Sequence, residues 1–365
     1  MGVLVVLRRP GRDPRRPAAR LLRGPGADAL SRFSTLGLAR GGIVFGLLAL
    51  FPLLVHADWI VNIGVFTLMY AGLATSWNLF SGYTGYISLG QAAFFGLGAY
   101  TLGITFNHVS IGSGYRPFYT LPLIGLAVAA VALPVAWIAL RTRAMTFAIV
   151  TLMLLFIVQQ LAFNLRSLTH GSQGVAVPQP NFVTNFDRPY YFAMLGVLAL
   201  AMLACWFVRG SKLGLMLLSV REDEEKARGL GVRVTGVKLV AFSLSVGLTA
   251  MVGAVWGYYL FYIYPESAVD PLVMIGAVLM TFLGGKGTLW GPMVGAFVLV
   301  PAQQWTLTTY GATRLYLIAY AGVFAVVLLL LPRGILPSLA DLLEQRRFRA
   351  PTGPNVTPSA KQAVS

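Results

Sequence analysis

The sequence predicts an all-α polytopic membrane protein with about ten transmembrane helices, some of them broken or re-entrant. Three observations predict it. Of 365 residues, 57% are hydrophobic and only 11% are charged, where a soluble domain carries about 25% charged residues. The mean hydropathy is +0.73. The charge-free runs are long, and about 20 apolar residues cross a hydrocarbon core of about 30 Å. A soluble globule with so few charges could not cover its surface, which excludes a soluble enzyme and a nucleic-acid-binding domain. The net charge of +16 does not bring nucleic acid back, because the basic residues stand in short clusters between apolar runs.

From the N-terminus, residues 1–40 read as a basic cytoplasmic arm, disordered and rich in Arg, Pro and Gly, with nine arginines from Arg8 to Arg40. Val3–Leu7 is too short for a signal-peptide core. The arm is either a solvated tail that only enforces orientation or a segment that binds anionic lipid headgroups. Residues 41–335 form the transmembrane domain, with a cytoplasmic loop over 209–238. Residues 336–365 form a cytoplasmic tail, disordered from Pro351; its Asn355-Val356-Thr357 sequon is unused on that side.

Ten charge-free runs follow one another: Gly41–His56, Trp59–Phe80, Ile87–Asn107, Pro117–Leu140, Ala144–Leu165, Pro189–Val208, Leu239–Pro265, Pro271–Gly285, Leu289–Thr313 and Leu315–Pro332. Gly41–His56 and Pro271–Gly285 are short enough to be broken or re-entrant. If the arm is inside and every run crosses, then Arg141, Arg143, the loop 209–238, Lys286 and the tail arginines all fall inside. The outside loops keep only Arg116, Arg166, Arg188 and Arg314 as basic residues. Ten crossings with both termini inside satisfy the positive-inside rule, and nine or eleven would not. The outside segment Arg166–Arg188 is long enough for local structure.

The chemistry missing from these runs also informs. No Asp, Glu, Lys or Arg stands at mid-depth in any run, so an intramembrane proton relay has no carrier. A lone Cys205 excludes an intrachain disulfide, and His56, His108 and His170 share no helical spacing, so no metal site is expected. No catalytic set and no cofactor motif is visible.

Three segments carry the functional signal. The first runs from Gly82 to Tyr100 (Gly-Tyr-Thr-Gly-Tyr-Ile-Ser-Leu-Gly-Gln-Ala-Ala-Phe-Phe-Gly-Leu-Gly-Ala-Tyr). Its glycines permit close helix approach, and Gly82 and Gly85 can take positive φ at a break. Ser88 and Gln91 put polar groups beside that break. Gly85, Ser88, Gly90, Gln91, Gly96 and Gly98 therefore line a pathway or a tight helix contact. The second runs from Gly284 to Phe297. Gly284, Gly285, Gly287, Thr288, Gly291 and Pro292 belong to the same pathway-or-packing set, with Lys286 at the membrane interface and Gly291-Pro292 opening a helix. It is not a phosphate loop, which would need Gly where Met280 stands and Ser or Thr where Gly287 stands. The third is the inside loop from Ser211 to Gly231. Its Arg221, Glu222, Asp223, Glu224, Glu225, Ala227 and Gly231 suit a short helix starting near Ser219-Val220, acidic at its start, basic at its end and stopped by glycine. It is either a solvated loop or a docking surface for a soluble partner.

The Glu225, Ala227, Gly231 spacing resembles the Glu-Ala-Ala-x-x-x-Gly coupling motif of ABC importer permeases, with Lys226 in place of the first Ala. Together with Phe147–Leu152, Thr169–Gly174 and the terminal Pro332-Arg333-Gly334, these segments resemble the LivM-type permease of branched-chain amino acid ABC transporters, over about Trp59–Gly334. The resemblance implies a non-enzymatic, substrate-translocating subunit in a bacterial inner (plasma) membrane. It implies a second related permease, two ATP-binding subunits and an extracytoplasmic solute-binding protein as partners. The substrates would be leucine, isoleucine, valine or related compounds, with the Arg221–Gly231 loop as the ATPase contact. An ion-coupled secondary transporter or channel is the alternative, distinguished by whether uptake needs ATP.

Overall fold

The computed structural model describes residues 36–55, 57–108, 112, 114–180, 186–310, 322, 325 and 334–339. The chain divides into two units, Met1–Leu54 and Val55–Ser365. In the first, helix α1 spans Leu36–Leu54 and exposes Ile43, Leu47, Leu50 and Leu54. It begins five residues before the apolar run, so Arg40 lies inside the helix rather than at the end of an arm. The rest of the expected arm and almost all of the tail lie outside the described residues, as does most of the run Leu315–Pro332.

The second unit contains α2 (Asp58–Trp77), α3 (Gln91–His108), α4 (Leu121–Ala139), α5 (Ala144–Asn164) and α6 (Asp187–Gly210). They are followed by α7 (Lys212–Glu222), α8 (Glu224–Gly229), α9 (Val234–Leu260), α10 (Pro271–Gly284) and α11 (Gly291–Tyr310). The all-α expectation holds, because in lipid a helix satisfies its own backbone. Among the described residues the exception is one antiparallel pairing, β1 (Val175–Ala176) with β2 (Tyr262–Ile263), which lies in connections. Among the described residues, six stretches are long and apolar enough to cross a membrane: Asp58–Gly82, Leu121–Ala139, Ala144–Asn164, Asp187–Gly210, Val234–Leu260 and Pro265–Gly284. The runs expected over Ile87–Asn107 and Leu289–Thr313 are helical as α3 and α11 but more polar, and Gly41–Leu54 is shorter.

Several boundaries move, each for a physical reason. The second run does not stop at Phe80. A π-type turn, Asn78–Gly82, prolongs α2, as such turns do beside functional sites. Gly85 takes φ +78° as expected, whereas Gly82 stays out of the left-handed region. Gly82 is small for a different reason: a Cβ there would overlap Asn78 and lie 3.1 Å from the Gly287 amide. The third run becomes helical only at Gln91; residues 85–90 are a non-helical connection whose Ser88 and Leu89 amides donate to Ser81 Oγ and Thr151 Oγ1. The seventh starts at Val234 rather than Leu239, which brings Lys238 into the helix.

The core is built on α9, whose membrane window is the most deeply covered of the six. α3 runs parallel to it at backbone contact distance. A Cβ on Gly98 would overlap the Ala250 carbonyl, and one on Gly253 would overlap the Phe95 carbonyl. A Cβ on Gly257 would lie 2.8 Å from Ala99 Cβ. α2 and α4 pack antiparallel against α9, with Gly125 approaching the Gly247 carbonyl. α10 and α11 form a hairpin through Gly284, Gly291 and Gly295. α5 is the least covered span, with 22% of its window buried, and presents Met145, Ile149, Met153 and Ile157 outward.

The connections sort to two ends. Residues 82–86, 221–224 and 285–288 meet at one end, and Gly334 and Pro337 close on Gly285 there. The opposite end collects Gly114 with Tyr258, the β1–β2 pair, and Asp187 with Tyr259. This is the sorting that alternate crossing of these eight runs requires.

Candidate functional site

All three sequence segments meet at the first of these ends. Arg221, in the last turn of α7, donates from Nη1 to the Gly82 carbonyl at 3.0 Å. Its side chain fills the space that a Cβ on Gly85 or Gly287 would need, 3.3 Å and 2.6 Å away. Asn78 spans the same junction. Its Nδ2 donates to the Thr288 carbonyl at 2.9 Å and its Oδ1 accepts from the Gly287 amide at 2.8 Å. The Gly285, Gly287 and Thr288 amides of this turn are thus all bonded to protein groups. Gly285 sits at φ +120° and Gly287 at +79°. Thr288 Oγ1 accepts from the Gly291 amide at 3.0 Å, which starts α11 with Pro292 in its first turn. Burial and the nearby Arg221 guanidinium hold the Lys286 ammonium below its ordinary pKa, and it lies 5.3 Å from the Phe282 ring centre.

The loop expected as one helix from Ser219 is two. Ser219 and Val220 belong to α7, and the chain kinks at Asp223. Asp223 causes the break: its Oδ1 caps α8 by accepting from the Glu225 and Lys226 amides at 3.1 and 3.0 Å, a role aspartate fills well. Ala227 is buried in a small cluster with Val220 and Val234, and Gly231 ends the segment at φ +87°. Glu222 and Glu225 face outward, and Leu230 is 84% exposed.

Glu224 turns the other way. Its carboxylate lies 3.2 and 3.3 Å from Lys238 Nζ, accepts from Arg228 Nη2 at 3.0 Å and accepts from the Tyr86 hydroxyl. Burial raises its pKa, but the Tyr86 hydrogen bond and the charges of Lys238 and Arg228 outweigh that and bring it below the ordinary value. Sequence reasoning missed Lys238, Asn78 and the role of Tyr86. Their partners lie 14 to 210 residues away, and no spacing rule reaches so far.

Inward from this end, the polar residues of the first segment form a buried chain. Trp77 Nε1 donates to the Ser88 carbonyl at 2.7 Å, and the Ser88 amide donates to Ser81 Oγ at 3.2 Å. Ser88 Oγ donates to Gln91 Oε1 at 3.3 Å. Gln91 Nε2 donates to Ser245 Oγ, which donates to the Ser76 carbonyl at 2.6 Å. The Leu89 amide donates to Thr151 Oγ1 at 3.1 Å, and a Cβ on Gly90 would overlap the Thr151 carbonyl. Gly96 abuts Val269 and the Ala268 carbonyl. Ser88 and Gln91 are fully buried, so within this subunit they join helices to one another.

The opposite end carries a polar cleft of about 480 Å³ lined by Asn107, His108, Ser167, His170 and Gln173 among others. Two histidines that are far apart in sequence come together here. His170 takes φ +56°, with Thr169 Oγ1 bracing its turn by donating to the Ala162 carbonyl at 2.6 Å. No three His, Cys, Asp or Glu side chains gather among the described residues.

The sequence model of a family described as branched-chain amino acid transport system / permease component matches residues 59–332. The LivM permease protein of the high-affinity branched-chain amino acid transport system of Salmonella typhimurium is 28% identical, over 80% of this chain and 73% of its own. The Escherichia coli LivM protein is 27% identical over the same shares. The LivH permease protein of Salmonella typhimurium is 28% identical over 47% of this chain and 59% of its own. No solved structure matches the chain.

Proposed function

The chain belongs to the family of branched-chain amino acid transport permease components and is the membrane-spanning permease subunit of an ABC importer; on that premise we propose that it carries leucine, isoleucine, valine or a closely related amino acid into the cell. It works beside a second, related permease, two ATP-binding subunits and an extracytoplasmic solute-binding protein. The pair of LivM and LivH relatives supports the permease pairing. The end bearing α7 and α8 faces the cytoplasm, as do both termini, and the N-terminal arginines lie against anionic headgroups. The cleft end receives solute. The buried chain from Ser88 to Ser245, with its flanking glycines, borders the translocation route. The chain itself performs no catalysis.

One observation carries the assignment of the ATPase contact. Glu222 and Glu225 are exposed on either side of the Asp223 kink, and Leu230, which follows α8, is 84% exposed. An exposed apolar residue in a charged segment suits a docking surface that combines area with partner choice. Reversing Glu222 and Glu225 to Lys should lower co-purification of the ATP-binding subunits at least several-fold at equal expression. Unchanged co-purification and uptake would make the segment a solvated loop.

A further inference from the structure

Lys238 is the only charged side chain that is buried among the described residues, at 1% exposure. An ammonium can be buried only with a partner, because an isolated charge in a low-dielectric site is far too costly. Its partner is Glu224, through two contacts of 3.2 and 3.3 Å. The same ammonium lies 4.1 Å from the Tyr86 ring centre, and the Tyr86 hydroxyl donates to Oε2 of the same Glu224 carboxylate. One cation therefore joins three segments: α8, the start of α9, and the non-helical stretch 85–90 that leads into α3. Tyr86 continues the contact inward. Its ring meets Phe147 of α5 edge to face at 5.6 Å, and Phe147 meets Phe242 of α9 at 6.0 Å.

We infer that Lys238 is a positioning residue for coupling: it fixes α8 to the Tyr86 stretch, so that a displacement of α8 by the ATP-binding partner is carried to the segment that begins α3. This builds on α7 and α8 being the ATPase contact. A buried ion pair contributes little net stability compared with an apolar pair of the same size, but it specifies one geometry. If the junction had only to hold together, apolar side chains would serve as well. The cluster adds register. Glu224 cannot leave Lys238 without stranding a buried charge unpaired, and it cannot move with Lys238 without pulling Tyr86.

The test uses the complete transporter in proteoliposomes with saturating binding protein and the branched-chain amino acid that the wild type accumulates. Two quantities are read: amino acid accumulated per ATP hydrolysed, and ATP-binding subunits co-purified. Lys238→Met should keep the ATP-binding subunits bound while accumulation per ATP falls about tenfold. Lys238→Arg, which keeps the charge, should recover at least half of the wild-type ratio. Tyr86→Phe deletes one hydroxyl without changing packing and should lower the ratio two- to threefold. It also keeps the question open to disproof should Lys238→Met not assemble. A wild-type ratio in Tyr86→Phe, or failure of Lys238→Arg to exceed Lys238→Met, would overturn the inference. Either result leaves the docking assignment standing, because that assignment fails separately, when Glu222→Lys with Glu225→Lys retains both ATP-binding subunits and uptake.

Discussion

At the scale of single residues, glycine and aspartate make the sharpest demands. Gly98 faces the Ala250 carbonyl so closely that any Cβ overlaps it, and backbone cannot step aside as a flexible side chain can. Gly98→Leu should cost about 1–3 kcal/mol by overpacking, seen as reduced yield of assembled subunit together with reduced uptake. Normal yield and uptake would mean that α3 and α9 are not in contact there. Asp223 offers a pH signature. The Lys226 amide and then the Lys226 ammonium hold its carboxyl below the usual carboxylate range. A depressed pKa in the folded state means the cap contributes above the ordinary value of about 3.9 and is lost as pH falls through the depressed value. Hydrogen exchange at the Glu225 and Lys226 amides, corrected for intrinsic rate, should therefore accelerate below about pH 4. Asp223→Ala should show the faster exchange already at neutral pH. That the glycines approach a neighbour was readable from their density. Which carbonyl each one meets was not, since that depends on which helices become neighbours. Lys238 was the hardest to read, because a lysine at the edge of an apolar run looks like an interfacial anchor until Glu224 is seen to fold back on it.

At the scale of elements, the apolar runs located the helices because their lengths match a bilayer, and nine of the ten contain a described helix. The misplaced ends share one cause. Side chains from other elements bind the amides of the non-helical connection 85–90, and Lys238 in the first turns of α9 pairs with Glu224; neither contact has a local signal. The β1–β2 pair is two residues on each side, too short for an alternating pattern. Arg221 ties α7 to the end of α2 through a single hydrogen bond. Arg221→Met should remove about 1 kcal/mol of local stability and also leave room above Gly85 and Gly287. Protease cleavage within 221–231 should accelerate several-fold while the spans keep their protection. If cleavage does not change, α7 and α8 are held by other contacts.

At the scale of the whole molecule, charge arithmetic foresaw which connections share an end, because insertion sorts loops by Lys and Arg content. Reporter fusions after Arg143 and Lys238 should register cytoplasm, and a fusion after His170 the opposite compartment. A reversed pattern would place α7 and α8 outside and rule out their contact with an ATPase. The β1–β2 ladder also has a mechanical consequence. It fastens the connection after α5 to the tip of α9, and the end of α3 is wedged against the same pair, since a Cβ on Gly103 would lie 3.0 Å from Val175 and 3.1 Å from Ile263. Along their length α3 and α9 touch backbone to backbone, so they bend together or not at all. The pair is a stiff beam with its fulcrum at the ladder. The 27 residues of α9 make a beam of about 40 Å, and a tilt of about 5° there swings the opposite tip through about 3 Å. A force applied at the rim where Glu224 and Lys238 sit would therefore move that rim most and the ladder rim least.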